Sequence, residues 1–303
     1  MMIYLPIAEL SVNIFVILGL GWITGVLSGM FGVGGGFLMT PLLMFIGVSP
    51  SVSVATAANQ IIASSVSGFL AHWRRDNVDF QMGRYLLLGG MVGSSLGVGL
   101  FRWLQRGGYI DLTISIAYVV FLGGIGAMMA GESFRALLKT PKKNTLEPEQ
   151  QRWWHRLPMV REFPKSKLKI SLLLPLTIGF LVGILVSLMG VGGGFFLVPA
   201  MIYILGMPTS VVIGTSLFQI IFISANVTLL QAITTQTVDI LLALLLLSGS
   251  VIGAQFGSHL GAKIRGEYLR GLLAAIVLCI AVKLAFGLFT PPADIYSVSV
   301  IDD

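Results

Sequence analysis

Charge is what this 303-residue chain has least of. Only 11% of its residues are Asp, Glu, Lys or Arg, against 55% hydrophobic ones, a balance that excludes an ordinary soluble globular domain. No charged residue occurs from Leu10 to Trp73, and between Lys169 and Lys263 there is only Asp239. Each tract is long enough for several membrane spans of about 20 residues. Cysteine is nearly absent: Cys279 stands alone, which excludes a disulfide framework and a cysteine-based metal site. The sequence has no cluster of His with carboxylates for metal work, no base paired with a nucleophile, and no nucleotide-binding motif. No cofactor is called for. The N-terminus lacks the basic region of a secretory signal, so the first apolar run reads as retained.

The net charge is +6, and ten of the 19 Lys and Arg residues lie between Arg135 and Lys169. In a membrane protein such a cluster is first a topology signal and second a contact for anionic lipid headgroups. Nucleic acid is not an expected partner, because no readout module accompanies the charge.

What the chain has in quantity is glycine, and it is duplicated. GMFGVGGGFLMTP at 29–41 returns as SLMGVGGGFFLVP at 187–199. Gly21, Gly25, Gly32, Gly34, Gly35, Gly36 and Pro41 match Gly179, Gly183, Gly190, Gly192, Gly193, Gly194 and Pro199 at a spacing of 158. Thr56, Gln60 and Ser65 match Thr215, Gln219 and Ser224 at 159, and Asp79, Gly89, Gly93 and Gly97 match Asp239, Gly249, Gly253 and Gly257 at 160. So small a drift along two halves indicates an internal duplication.

Each half divides into five apolar segments, the second only about ten residues long and too short to span. Arg74, Arg75 and Arg84 flank the loop between the third and fourth segments of half one, whereas TTQTVD in half two carries no Lys or Arg. The halves therefore face opposite ways. The expectation is an all-α polytopic membrane protein of two inverted-topology repeats with broken half-helices at the Gly-rich loops. Residues 1–132 form the first repeat, 133–168 a cytoplasmic connection and 169–303 the second repeat.

Inverted repeats with interrupted helices are the organisation of secondary transporters, with a site near the midplane. At a helix break the following N–H groups lack partners and carry the positive end of the helix dipole, while glycine keeps side chains out of the way. An oxyanion can be held there by backbone alone. The four-residue glycine series instead reads as close helix packing. The doubled G-x-G-G-G with its following proline, together with ATAANQ at 55–60 and GTSLFQ at 214–219, resembles the sulfite exporter TauE/SafE family, also called toluene sulfonate uptake permeases. The resemblance implies a multi-pass carrier of the bacterial inner membrane for sulfite, thiosulfate or small organosulfonates such as sulfoacetate, with protons as the coupling ion.

The candidate substrate-binding residues are Gly34, Gly35, Gly36, Thr56, Asn59, Gln60, Gly192, Gly193, Gly194, Thr215 and Gln219. Ser64, Ser65, Ser224 and Asn226 could extend a polar pathway, and Lys283 is either a site charge or a side chain reaching the interface. The amides have an equally simple use as interhelical hydrogen bonds. Asp79 and Asp239 read as N-caps of the fourth segments. His72 and His259 read as interfacial. An anion channel of the same architecture is the alternative to a carrier, and a membrane-embedded enzyme the weaker one. Cysteines placed singly at Thr140 and Ser297, in a chain lacking Cys279, test the orientation with an impermeant thiol reagent on intact cells. Ser297→Cys is expected to label from outside and Thr140→Cys is not; the reverse pattern would turn the topology over.

Overall fold

The computed structural model describes residues 2–31, 36–138, 159–166, 168–261 and 266–289. Among the described residues the regular structure is helical except for two β-hairpins. In order come β1 (Met2–Leu5), β2 (Leu10–Asn13), α1 (Ile14–Phe31), α2 (Gly36–Phe45), α3 (Pro50–Arg74), α4 (Phe80–Arg106) and α5 (Ile110–Leu138). Then follow β3 (Val160–Phe163), β4 (Leu168–Ser171), α6 (Leu173–Met189), α7 (Gly194–Pro199), a π-helical turn (Ala200–Leu205), α8 (Thr209–Thr234), α9 (Ile240–Gly261) and α10 (Gly266–Phe289). Among the described residues six helices are long and apolar enough to cross a membrane: α3, α4, α5, α8, α9 and α10. The protein is an all-α polytopic membrane protein, as the composition requires.

The short second segments re-enter. Gly47, just past α2, has its open side toward Leu10, just before α1, so α1 and α2 enter and leave at one end. In the second half the π-helical turn packs back on α6, and Phe163, Ile170, Leu205 and Met207 belong to one apolar cluster. Pro41 and Pro199 lie inside α2 and α7. Proline removes a helical N–H and clashes with the preceding turn, and at Pro199 the helix relaxes into the π-helical turn.

The two halves interlock by exchange. Thr56, near the start of α3, accepts from the N–H of Asp239, just beyond α8; Thr215, near the start of α8, accepts from the N–H of Asp79, just beyond α3. The two long helices therefore run antiparallel. Around them, α1 packs along α9 and α4 along α6, the most extensive contacts in the molecule. Glycine makes both possible. A Cβ on Gly21 or Gly25 would strike the backbone of Leu246 or Ser250, and one on Gly89 or Gly93 the backbone of Leu176 or Phe180. Gly249, Gly253, Gly257, Gly179 and Gly183 return the same contact from the other side. The packing reading of the four-residue series holds.

The hairpins are the element that the sequence pattern did not announce. β1–β2 and β3–β4 are antiparallel pairs, and at a spacing of 158 Leu5 and Pro6 correspond to Phe163 and Pro164. Leu5 and Phe163 are fully buried, each in an apolar cluster that also draws residues from the other half. The second hairpin straddles residue 168, where the connecting stretch was expected to end. Helix-to-helix contact through glycine predicts a sharp contrast in detergent melts. Gly25→Val should cost about 1–3 kcal/mol by overpacking. Gly99→Ala, in the same kind of helix but with nothing near the new methyl group, should be neutral or stabilise by up to about 1 kcal/mol.

Candidate functional site

The break of the second half is fully described. Gly190 ends α6 in the left-handed conformation, φ 64°, and its N–H bonds to Val186 at 2.8 Å. Gly192 and Gly193 follow, each at φ 74°, so three of four residues occupy a region that L side chains avoid. The N–H groups of Phe196 and Leu197 turn back to the carbonyl of Gly193. Those of Val191, Gly192, Gly193, Gly194 and Phe195 have no hydrogen-bond partner among the described residues. All five residues are buried. Run together at the start of α7, such donors form a concentration of positive dipole.

The last carbonyls of α6 are held differently. Tyr118 of α5 donates its hydroxyl to the carbonyl of Met189, and Gln231 of α8 donates to that of Ser187 at 3.1 Å. The break is thus fixed on its acceptor side by two side chains and open on its donor side. In the first half Gly34 and Gly35 lie outside the described residues. Gly36 opens α2, buried, with its Cα side against Ile61 and the carbonyl of Gly190. Phe37 and Phe195, one after each cluster, stack at 4.7 Å between centroids with planes 11° apart. The start of α2 thus lies against the second break.

The family model for sulfite exporter TauE/SafE matches residues 17–284. The chain belongs to the sulfite exporter TauE/SafE family. It is 30% identical over 268 residues to a probable membrane transporter protein, YjnA, of Bacillus subtilis, covering 88% of this chain and 97% of that one. It is 26% identical to a second, YunE, from the same organism, over 93% of this chain and the full length of that one. Sulfite exporter TauE/SafE family protein 1 of Arabidopsis thaliana matches at 49% over 43 residues, 14% of this chain and 10% of that one. No solved structure matches. As a member of the family the chain is a multi-pass membrane transporter.

The polar candidates do not all converge on the breaks of this TauE/SafE protein. Gln60 points to α1, where its Nε2 donates to Thr24 at 3.2 Å, and Gln219 points to α4, donating to the Leu86 carbonyl at 3.2 Å. Both Oε1 atoms are buried without a partner. Thr56 and Thr215 are engaged with the opposite half's Asp239 and Asp79 N–H groups. Asn59 lines a half-open cavity of about 330 Å³ between α3 and α9, otherwise apolar. Ser64 bonds back to Ile61, and Asn226 donates to Ser94 and Ser95 of α4. Ser65 and Ser224 are buried with unbonded hydroxyls. Lys283 is exposed, its ammonium 4.0 Å from the Phe45 ring at the end of α2.

Tyr118 and Gln231 went unremarked in the sequence. Tyr118 has no signal there. Gln231 has one, since it stands 159 residues from His72, and repeat pairs of polar residues deep in apolar segments mark shared positions. The capping of both aspartates is confirmed: Asp79 Oδ1 accepts from Gln81 and Met82, and Asp239 Oδ1 from Leu242. The second oxygen was not foreseen. Asp79 Oδ2 accepts from Ser166 in the second hairpin, and Asp239 Oδ2 from the N–H groups of Ile7 and Ala8 in the first, at 3.2 and 3.4 Å. Asp79→Ala should lose about 0.5–2 kcal/mol of stability with the cap, while Asp79→Asn keeps a capping oxygen and should melt and transport as the parent does. Abolished transport in a normally melting Asp79→Asn protein would make this carboxylate a proton carrier instead.

Proposed function

We propose that the chain is a secondary carrier of small sulfur oxyanions or organosulfonates, of the sulfite, thiosulfate and sulfoacetate type, across the bacterial inner membrane, driven by the proton gradient. Its anion is held by backbone N–H groups at the two glycine breaks. The observation that carries this reading is the run of five buried, unpartnered N–H groups at Val191–Phe195. A compact anion suits them because backbone dipoles hold negative charge without a fixed cation that would trap it. The family's description names sulfite, and the relatives named as probable membrane transporters match along nearly their whole lengths. Two halves that interlock through antiparallel α3 and α8 supply the inverted pair of broken helices that alternating access uses.

Proteoliposomes loaded with a pH gradient test the reading. Uptake of sulfite, thiosulfate or sulfoacetate should saturate and should stop when a protonophore collapses the gradient. Saturable flux indifferent to the protonophore would remove the proton coupling, and no flux of any of these anions would remove the substrate class. The glycines give a sharper measurement. A side chain at Gly193 meets Val186 and Val182, 2.9 and 3.0 Å from a Cβ, in a φ that disfavours it, so Gly193→Ala is expected to lower the melting temperature. If the amides bind the anion, affinity measured on the remaining folded protein should also fall about tenfold, or about 1.4 kcal/mol. A destabilised Gly193→Ala protein with parental affinity would confine the glycines to packing.

A further inference from the structure

Five of the eight buried side-chain polar atoms without partners among the described residues fall in two lines. Ser224 Oγ, Thr228 Oγ1 and Gln231 Oε1 on α8, and Ser65 Oγ and His72 Nδ1 on α3, are each shut from solvent and unbonded. At 100° per residue the three on α8 lie within an arc of about 60°. Ile220 lies beside the same arc, and its side chain reaches the open side of Gly193. Gln219 and Asn226 are on a different face, turned to α4. On α3, Ser65 and His72 share an arc with Ile61, which lies against Gly36 and Gly192. A spacing of 159 carries Ile61, Ser65 and His72 onto Ile220, Ser224 and Gln231. Both stripes therefore start at the breaks. Because α3 and α8 are antiparallel, one leads toward the end that holds the second hairpin and the other toward the end that holds the first. The Oε1 atoms of Gln60 and Gln219 are also unbonded, but they lie off these arcs, and Thr40 Oγ1 on α2 lies beside the Tyr118 hydroxyl.

An unbonded hydroxyl, imidazole nitrogen or carboxamide oxygen in a dry interior is destabilising. Single cases occur in any protein; related ones on both repeats, aligned on the same helical face, call for a partner that is not protein. Water is the commonest partner of buried polar groups that the protein itself leaves unsatisfied. We propose that the two stripes line a pair of water-filled half-paths, one opening at each end of the molecule, that meet at the glycine breaks and conduct a small hydrophilic solute to and from them. This deepens the carrier reading and rests on it for the solute. The face of α8 with Ser224, Thr228 and Gln231 serves the end of the first hairpin, and the face of α3 with Ser65 and His72 the end of the second.

The chain's single cysteine makes the test direct. In a Cys279→Ala background, cysteines are placed one at a time at Ser65, His72, Ser224, Thr228 and Gln231, with Leu229→Cys as control, since Leu229 neighbours Thr228 but faces outward. Protein in sealed vesicles is treated with 2-sulfonatoethyl methanethiosulfonate, a charged reagent that reacts with thiolate, a form that requires water. Thr228→Cys and Gln231→Cys should react at least about tenfold faster than Leu229→Cys, from the side of the first hairpin. His72→Cys should react from the other side. The substitutions at the two serines exchange only oxygen for sulfur, so they retain a reading if His72→Cys or Gln231→Cys does not fold, and melting curves identify such failures. Reaction no faster than the control at Ser65, Ser224 and Thr228 would overturn the half-paths. If the five positions react but no sulfur anion is transported, the paths stand and the substrate reading falls. Anion transport with unreactive cysteines leaves the carrier and removes the paths.

Discussion

Every backbone N–H and C=O placed in hydrocarbon must find a partner inside the protein, and this chain breaks two helices where that demand is strictest. The rest of the structure answers it. At the second break, α6 stops at Gly190 and its last carbonyls are taken by Tyr118 and Gln231. The fourth helix of each half begins at an aspartate that satisfies its free N–H groups, and the backbone N–H of that aspartate is taken by a threonine of the other half. Each half thus completes the helix ends of its partner. Among the described residues, five N–H groups left without a partner lie together at Val191–Phe195, and a group of unmet donors calls for something the protein does not contain.

Close contact between the halves follows from the same need. Side-chain caps reach only a few ångströms, so the helices that exchange them must be held near one another. The four-residue glycines of α1, α4, α6 and α9 do this by bringing backbone against backbone, which in a membrane supplies van der Waals contact where hydrophobic segregation supplies little. The β-hairpins act at the two ends. Each lies under the re-entrant pair of its own half through Leu5 or Phe163, and each is tied to the other half through the second oxygen of Asp239 or Asp79.

How much of this could be read from the residues varies with the range of the interaction. The ten apolar segments, the shortness of α2 and α7 and the capping aspartates follow from local composition and spacing, and all are present. The glycine series was legible as packing because period four on a helix defines one face. The hairpins were not, although Pro6 and Pro164 keep the repeat spacing: MIYL and VREF share almost no residue types, so the duplication is invisible without the pairing. Gln60 and Gln219 were legible as a repeated pair, but which neighbour each faces depends on helix rotation, and the structure turns them to α1 and α4 rather than to the breaks. Tyr118 acts across the molecule on a carbonyl, a contact that no sequence pattern encodes.

The duplication also shows where the halves have been allowed to differ. Their caps and glycines agree position by position; the faces of α3 and α8 agree only in part. Asn59 corresponds to Phe218 and Phe69 to Thr228. On one side Phe69, Trp73, Phe80, Phe218 and Phe222 form a chain of contacting rings. On the other, Asn59 borders a cavity and Thr228 leaves an unbonded hydroxyl. Two interlocked copies of one scaffold fix where helices begin, end and touch, whereas side chains that point between helices can be exchanged without disturbing that frame. The symmetric parts therefore hold the breaks in place, and the asymmetric ones make the two approaches to them unlike, with an aromatic wall on one side and, on the other, a largely apolar cavity and an unbonded hydroxyl.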